Sequence, residues 1–419
     1  MTDMAWIDAA LTAARPQAVA ALLRYFRDLD LAEEAFQDAC LRALKNWPEK
    51  GPPRDPTAWL VLVGRNAALD GVRRRAKDAP LPPDEVLSNL DDAEADMAER
   101  LDENHYRDDV LRLLFVCCHP DLPQTQQIAL ALRIVSGLTV AEIASAFLVS
   151  DAAMEQRITR AKRRIAEAGL PFEAPDAAER AERLSTVATM IYLVFNEGYS
   201  ASSGEATLRA PLCEEAIRLS RLLLNLFPAE PEIMGLTALM LLHHARARAR
   251  FDAAGEIVLL EAQDRAAWDR RMIDEGLALI DKAMRHRRPG RYQIQAAIAG
   301  VHARAGAAAE TDWAQIDALY AALERIAPSP IVTLNRAVAV SKVEGPDAAL
   351  AMIEPLAEPL GGYFNFHGAR GGLLLQLGRE AEARVAFDKA IALANTPAEA
   401  AHIRMHLDRL KADATPPAA

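Results

Sequence analysis

The sequence is poor in aromatic residues, which make up 5% of its 419 positions, and it holds only four cysteines. Few aromatics beside abundant alanine, leucine, glutamate and arginine argue against a sheet-built core and for helices. Cys40, Cys117, Cys118 and Cys213 show no CxxC spacing. That excludes a zinc ribbon or a paired redox motif, and so few cysteines exclude a disulfide framework. Cys117 and Cys118 precede His119, but small apolar residues buried in a helix over 110–118 are the simpler reading. There is no P-loop, no HExxH pattern and no Ser-His-Asp order, so no catalytic residue, metal or cofactor is expected. The longest apolar run, near 233–242, is too short to span a bilayer, and the N-terminus lacks a charged-then-apolar leader. The expectation is a cytoplasmic protein in a reducing compartment, without membrane contact.

Net positive charge is lacking too: the formal net charge is −11. Nucleic-acid binding needs only a local basic face, and two clusters stand out, Arg73-Arg74-Arg75 and the stretch 157–164. Between them, 84–109 is strongly acidic. Length suggests two to four domains. Residues 1–76 read as a compact helical unit, 77–105 as a flexible acidic linker, 106–170 as a second helical unit, and 177–411 as a long helical extension. The fold class is therefore all-α. In the first unit Ala32, Phe36, Cys40 and Leu44 recur every four residues and are assigned to one helix face. The spacing predicts a helix ending near 46–48, then a loop over 47–56 with four prolines and a glycine, then a helix over 57–75 started by Asp55-Pro56.

The second unit contains a helix-turn-helix pattern. Thr139 and Glu142 fit a capping box, 147–150 forms a turn, and Ser150 can cap the next helix. Met154, Ile158, Ala161 and Ile165 then repeat with 4-3-4 spacing as a buried stripe. The opposite face carries Gln156, Arg157, Arg160, Arg163 and Arg164. Arginine and glutamine are the side chains that read guanine and adenine edges in the major groove, and others of the set would hold phosphates. A helix ended by Gly137 precedes the pair. In the first unit, Trp59, Val63, Asn66, Asp70 and Arg73 fall on one partly polar stripe beside Arg65 and Arg74. Such a surface next to a proline-rich loop suits the capture of separated strands.

These segments resemble the extracytoplasmic-function sigma factors of the sigma-70 class. The resemblance is carried by Ala32-Glu-Glu-Ala-Phe-Gln-Asp-Ala-Cys-Leu-Arg-Ala-Leu44, by Ala58-Trp-Leu with Arg65-Asn66, Asp70 and Arg73-Arg-Arg75, and by Leu138-Thr-Val-Ala-Glu-Ile-Ala with Arg160-Ala-Lys162, in the family's order. It implies that the first unit is region 2, binding the polymerase clamp through Glu34, Phe36, Gln37, Asp38, Leu41 and Arg42. It also implies recognition and melting of the −10 element through Trp47, Arg54, Arg65, Asn66, Asp70, Arg73 and Arg74. The second unit would be region 4, reading the −35 element with Ser150, Gln156, Arg157, Arg160, Arg163 and Arg164. Core RNA polymerase and promoter DNA are the implied partners. Met154 and Glu155 depart from the family's commoner residues at their positions and leave the promoter sequence open.

The extension contains a repeat of 33 residues, Gly345-Pro-Asp-Ala-Ala-Leu-Ala-Met-Ile353 against Gly378-Arg-Glu-Ala-Glu-Ala-Arg-Val-Ala386. That period resembles tetratricopeptide helix pairs, which offer a surface to a protein or peptide partner. Before residue 300 no clean period is visible. Asn196 and Glu197, within Tyr192-Leu-Val-Phe-Asn-Glu-Gly-Tyr199, read as a pocket lining, as a contact to the sigma core, or as an exposed helix end capped by Gly198. His243-His244 with Arg246, Arg248 and Arg250 reads more simply as a half-buried histidine and a solvated arginine face than as a metal site. The functional expectation is a sigma factor whose extension regulates it in cis. The alternative is a helix-turn-helix regulator acting on duplex DNA without core polymerase, which would have no use for a strand-capturing module.

Overall fold

A computed structural model describes residues 5–76, 103–147, 149–168, 177–199, 203–252, 258–394 and 403–404. The chain divides into two units, Met1–Val194 and Phe195–Ala419, and the described residues of both are helical. Most of the acidic segment 77–105 and the 169–176 junction lie outside the described residues.

The first unit opens with α1 (Ala5–Phe26), α2 (Leu29–Lys50) and α3 (Pro56–Ala76). Asp28 starts α2 by accepting from Leu31 N at 2.9 Å, and Asp55 starts α3 by accepting from Thr57 N and Ala58 N at 2.9 and 3.0 Å. Two expectations are corrected here. The α2 helix does not stop at 46–48 but runs on to Lys50, closed by Gly51 N–H on the Trp47 carbonyl. Its last turn is held by Trp47, which is 2% exposed and packs against the rings of Trp6 and Trp59 at 6.2 and 5.4 Å. Buried aromatic area outweighs the one hydrogen bond that Pro48 forfeits. The connecting loop is therefore shorter than 47–56. The second correction concerns the buried face of α2, which is Leu29, Ala32, Glu33, Ala35, Phe36, Ala39, Ala43 and Trp47. Strict four-residue spacing advances roughly 40° per step on a helix of 3.6 residues per turn. Starting from buried Ala32, it has carried Leu44 out to solvent.

The same unit continues with α4 (Glu103–Cys117), α5 (Gln124–Ala131) with a π-turn over Leu132–Ser136, α6 (Val140–Ala146) and α7 (Asp151–Ala168). Gly137 ends the π-turn at φ 79°, where a Cβ would also meet the Arg15 side chain at 2.7 Å. The Thr139–Glu142 capping box is formed in both directions. Ser150 accepts from Ala153 N at 3.3 Å, and Met154, Ile158, Ala161 and Ile165 are all buried. Cys117 and Cys118 are buried in the core, and burial pushes the Cys118 thiol up to about 12.

Helix α8 (Ala177–Tyr199) supplies residues to both units. Its Arg183 lies over the Phe115 ring of the first unit at 5.4 Å. The second unit continues with α9 (Ser203–Leu226), α10 (Pro231–His244), α11 (Arg270–Met284), α12 (Arg291–Arg304), α13 (Trp313–Ile326), α14 (Pro330–Val343), α15 (Pro346–Ile353), α16 (Phe364–Gln376) and α17 (Glu380–Leu393). Helix α10 is buried along its whole face from Pro231 to Leu242, which marks it as the centre of this unit. The 33-residue repeat corresponds to two helix pairs, α14–α15 and α16–α17, sharing a core of Leu334, Ile353, Phe366, Leu374 and Phe387. Gly345 and Gly378 occupy equivalent turns, with φ 99° and 70°. The period vanishes upstream, where the described residues between α10 and α11 form short 3-10 turns at Ala247–Ala249, Leu260–Ala262 and Arg265–Ala267 rather than a tight hairpin.

Candidate nucleic-acid and polymerase interfaces

Helix α7 presents the basic face that its spacing predicts. Gln156, Arg160, Arg163 and Arg164 are exposed, as is Ser150 at the helix start, and Arg157 is half-exposed. Arg163 pairs with Glu167 at 3.6 Å, and Arg164 donates to the Asp121 carbonyl at 3.4 Å. Gln156, Arg157 and Arg160 have no hydrogen bond or ion pair among the described residues, so their donors are uncommitted. The helix is held from behind by four apolar side chains, which fixes its orientation without using any polar group of the outer face.

In α3, residues 58–64 are buried, and the helix emerges from the core at half-buried Arg65 and exposed Asn66. The guanidinium of Arg65 lies over the Tyr25 ring at 5.6 Å. Arg54 is exposed on the short loop before α3. The side chains of Asp70, Arg73 and Arg74 lie outside the described residues. Trp47 does not join this surface, because its ring belongs to the core described above. On α2, Glu34, Gln37, Asp38 and Leu41 are exposed and Arg42 is half-buried, with Leu41 at 59%. Phe36, at 2%, is turned inward under the Arg15 guanidinium, 5.0 Å from its ring centre. Its backbone direction follows from Ala32, Ala35 and Ala39 being buried beside it.

Sequence reasoning missed the charged network that joins α1 and α2 to the helix-turn-helix. Glu33 is buried, with its side chain 7% exposed. It lies 3.1 Å from Arg133 and 3.5 Å from Arg15, and it accepts from Lys162 of α7 at 2.9 Å. Lys162 also donates to Asp30 at 2.6 Å. Arg15 donates to the Ile134 and Arg133 carbonyls of the π-turn at 3.0 and 3.1 Å. Burial works against the Lys162 ammonium, but the hydrogen bonds to Asp30 and Glu33 outweigh it and hold its pKa above the ordinary value. A cleft of about 450 Å³ lies beside this network, lined by Asp30, Glu33, Arg133, Glu155 and Lys162 among others. A second tie runs from Arg24 of α1 to buried Asp109 of α4 at 3.2 Å, with Arg112 on the same carboxylate at 3.0 Å. The available signal was a glutamate at a core position of α2 and an arginine within the apolar stretch of α1.

A sigma-70 region 2 model matches residues 11–78, and a sigma-70 region 4 model matches residues 112–165. A family of unknown function, DUF6596, matches residues 183–284. An uncharacterized protein of Rhizobium meliloti (strain 1021), R00370, is 72% identical over 413 residues, covering 99% of this chain and 98% of the relative. No solved structure matches. The chain belongs to the sigma-70 family, as a sigma factor of the extracytoplasmic-function type with a C-terminal extension. Its partners are accordingly core RNA polymerase and promoter DNA. Sigma-factor families are not enzymes. No described helix is long and apolar enough to cross a membrane.

Proposed function

We propose that region 4 reads the −35 element with Gln156, Arg157 and Arg160, steadied on phosphates by Ser150, Arg163 and Arg164. Region 2 melts and holds the −10 element through Arg54, Arg65 and Asn66, continued by Asp70, Arg73 and Arg74. Core polymerase docks on the outer face of α2, where Glu34, Gln37, Asp38, Leu41 and Arg42 surround an exposed apolar side chain. The observation that carries this reading is the uncommitted donor set on the outer face of α7, opposite a fully buried stripe. Bidentate contacts of that kind give each base position its discrimination.

The Glu33 network adds a step to this function. The two promoter elements lie roughly 25 base pairs apart, or about 85 Å of duplex at the 3.4 Å rise. With Lys162 of α7 on Asp30 and Glu33 of α2, the two modules are too close to occupy both elements. The described arrangement is a closed form of the first unit, and promoter engagement breaks these pairs. The C-terminal unit regulates the sigma core in cis, offering its helix pairs to a protein or peptide segment. Attachment through one chain keeps its effective concentration high, so weak contacts are enough. Copurification tests the reading: the full-length protein should elute with core RNA polymerase from gel filtration. Binding to duplex DNA with no association to core would favour the free-standing regulator instead.

A further inference from the structure

The second unit brings together the two motifs of the extension that promoter recognition leaves unused. The C-terminus of α8 supplies Tyr199, the end of α10 supplies His243, the following turns supply Arg246, Arg250 and Arg265, and α12 supplies His302. The Arg250 guanidinium lies 3.8 Å from the centre of the Tyr199 ring, and Arg250 Nη1 donates to the Tyr199 carbonyl at 2.6 Å. The His243 ring meets the same tyrosine edge-on at 5.3 Å. Arg246 lies 5.9 Å from the tyrosine ring centre and 3.5 Å from His243 Nδ1. Arg265 donates to the His302 and Ala305 carbonyls.

Among the described residues, the arginines of this cluster have no carboxylate partner. Other arginines of this unit sit on carboxylates: Arg218 on Glu215, Arg221 on Glu275, Arg336 on Asp317 and Glu324, and Arg370 on Glu354. Arg246, Arg250 and Arg265 have carbonyls, an imidazole, a hydroxyl and aromatic rings, but no ion pair among the described residues. Two acids beside His302 and Arg265 are already engaged, Glu261 by Lys342 at 2.9 Å and Glu310 by the Gly306 and Ala307 amides. Burial first, and then the arginines, push His243 down to about 3 and His302 down to about 4, so both rings are neutral at pH 7. The Tyr199 hydroxyl is buried and has no hydrogen-bond partner among the described residues. A buried hydroxyl left without a partner is uncommon in a folded protein, and its donor is free for a ligand. Tyr199, His243, Arg246 and His302 are each half-buried.

We propose that this cluster is a binding site for the phosphate group of a small molecule. A positive field without carboxylate or thiolate ligands repels metal ions. A guanidinium fork flanked by an O–H and imidazole N–H groups matches a tetrahedral oxyanion. The bound anion supplies the missing counter-charge, accepts from the Tyr199 hydroxyl and raises both histidine pKa values. The site is argued from the second unit alone and does not depend on the extension acting on transcription, so failure of one leaves the other standing.

The test is calorimetric titration of the full-length protein with inorganic phosphate, glycerol phosphate and citrate, alongside histidine NMR titration. Saturable binding at one site per chain is expected, together with an upward shift of the His243 and His302 midpoints. Arg246→Gln should weaken binding at least tenfold, and Arg325→Gln, at an exposed position of α13, should not. Tyr199→Phe removes only the hydroxyl and serves where Arg246→Gln fails to fold; a several-fold loss is expected. Tighter binding of inorganic phosphate or of the ester identifies the source, and either supports the proposal. Absence of saturable phosphate binding at 10 mM (about 2.7 kcal/mol is the free energy of binding at this Kd), tighter binding of citrate, or unchanged affinity in both cluster variants would overturn it.

Discussion

Arg157 and Arg160 reach solvent from a helix whose inner side is closed by Met154, Ile158, Ala161 and Ile165. Replacing either with alanine leaves that packing intact and removes a guanidinium that the proposed function sets in the major groove. Loss of a base-reading arginine costs ~1–3 kcal/mol and relaxes the preference at one position. Transcription from a promoter library randomised at the −35 element should show that local relaxation for Arg157→Ala or Arg160→Ala. A uniform loss across all sequences would reassign the side chain to phosphate contact. In the second unit, His243 and His302 are held neutral, with folded pKa values of about 3 and 4. Unfolding restores an ordinary value near 6.5, so the unfolded chain takes up protons that the folded chain refuses. Their contribution to stability is complete above about pH 6.5 and is lost as pH falls toward the folded values. The melting temperature of the second unit should therefore drop between pH 7 and pH 5, and His243→Gln should flatten part of that slope. An equally steep slope in the variant would locate the effect elsewhere.

Helices α2 and α7 meet through side chains that their own periodicities do not foretell. Glu33 sits on the buried face of α2, and Lys162 on the flank of α7, beside its basic outer face. Removing one member of a buried charge pair leaves the other uncompensated, which is costlier than losing an exposed pair. Glu33→Gln should therefore loosen the closed form. A shift of about 1.4 kcal/mol toward the open form raises apparent affinity for the two-element promoter tenfold where the closed form predominates. Small-angle scattering of the free protein should show a larger radius of gyration, and competition assays with core present should show tighter promoter binding. Unchanged values in both would mean that the network does not restrain opening. Local signals were the legible part of these elements: the Asp55 cap, the Thr139–Glu142 box, the Gly137 stop and the 4-3-4 stripe of α7 were all written in neighbouring residues. Trp47 and Phe36 were not. Each looks like a surface contact in a list of motif residues, and only the packing of α1 and α3 against α2 shows that both rings are enclosed. Contacts such as Arg15 with the Ile134 carbonyl join residues more than a hundred positions apart, and no local pattern encodes them.

At the scale of the whole chain, a sigma core of two modules is followed by a helical unit of comparable size. The tetratricopeptide-like period was readable at Gly345 and Gly378 because each turn demands a residue at positive φ. Tyr199, His243, Arg246 and Arg250 were visible as motifs but not as neighbours, since only the packing of the end of α8 against the end of α10 and its next turn brings them together. Helix α8 packs with the first unit up to Val194, so a truncation that tests regulation in cis belongs after that residue. Circular dichroism should show that such a fragment retains its helices, and transcription with core should show promoter output different from that of the full chain. A folded fragment with wild-type output under all conditions would leave the extension without a regulatory role.

The most direct test of the account is reconstituted transcription with purified core polymerase on templates carrying paired −10 and −35 elements, with permanganate probing of the −10 thymines. The account predicts transcripts that require both elements, and strand opening at −10 that appears only when this protein and core are both present. Duplex binding that persists without core, with no opened thymines and no transcript on any template, would contradict it.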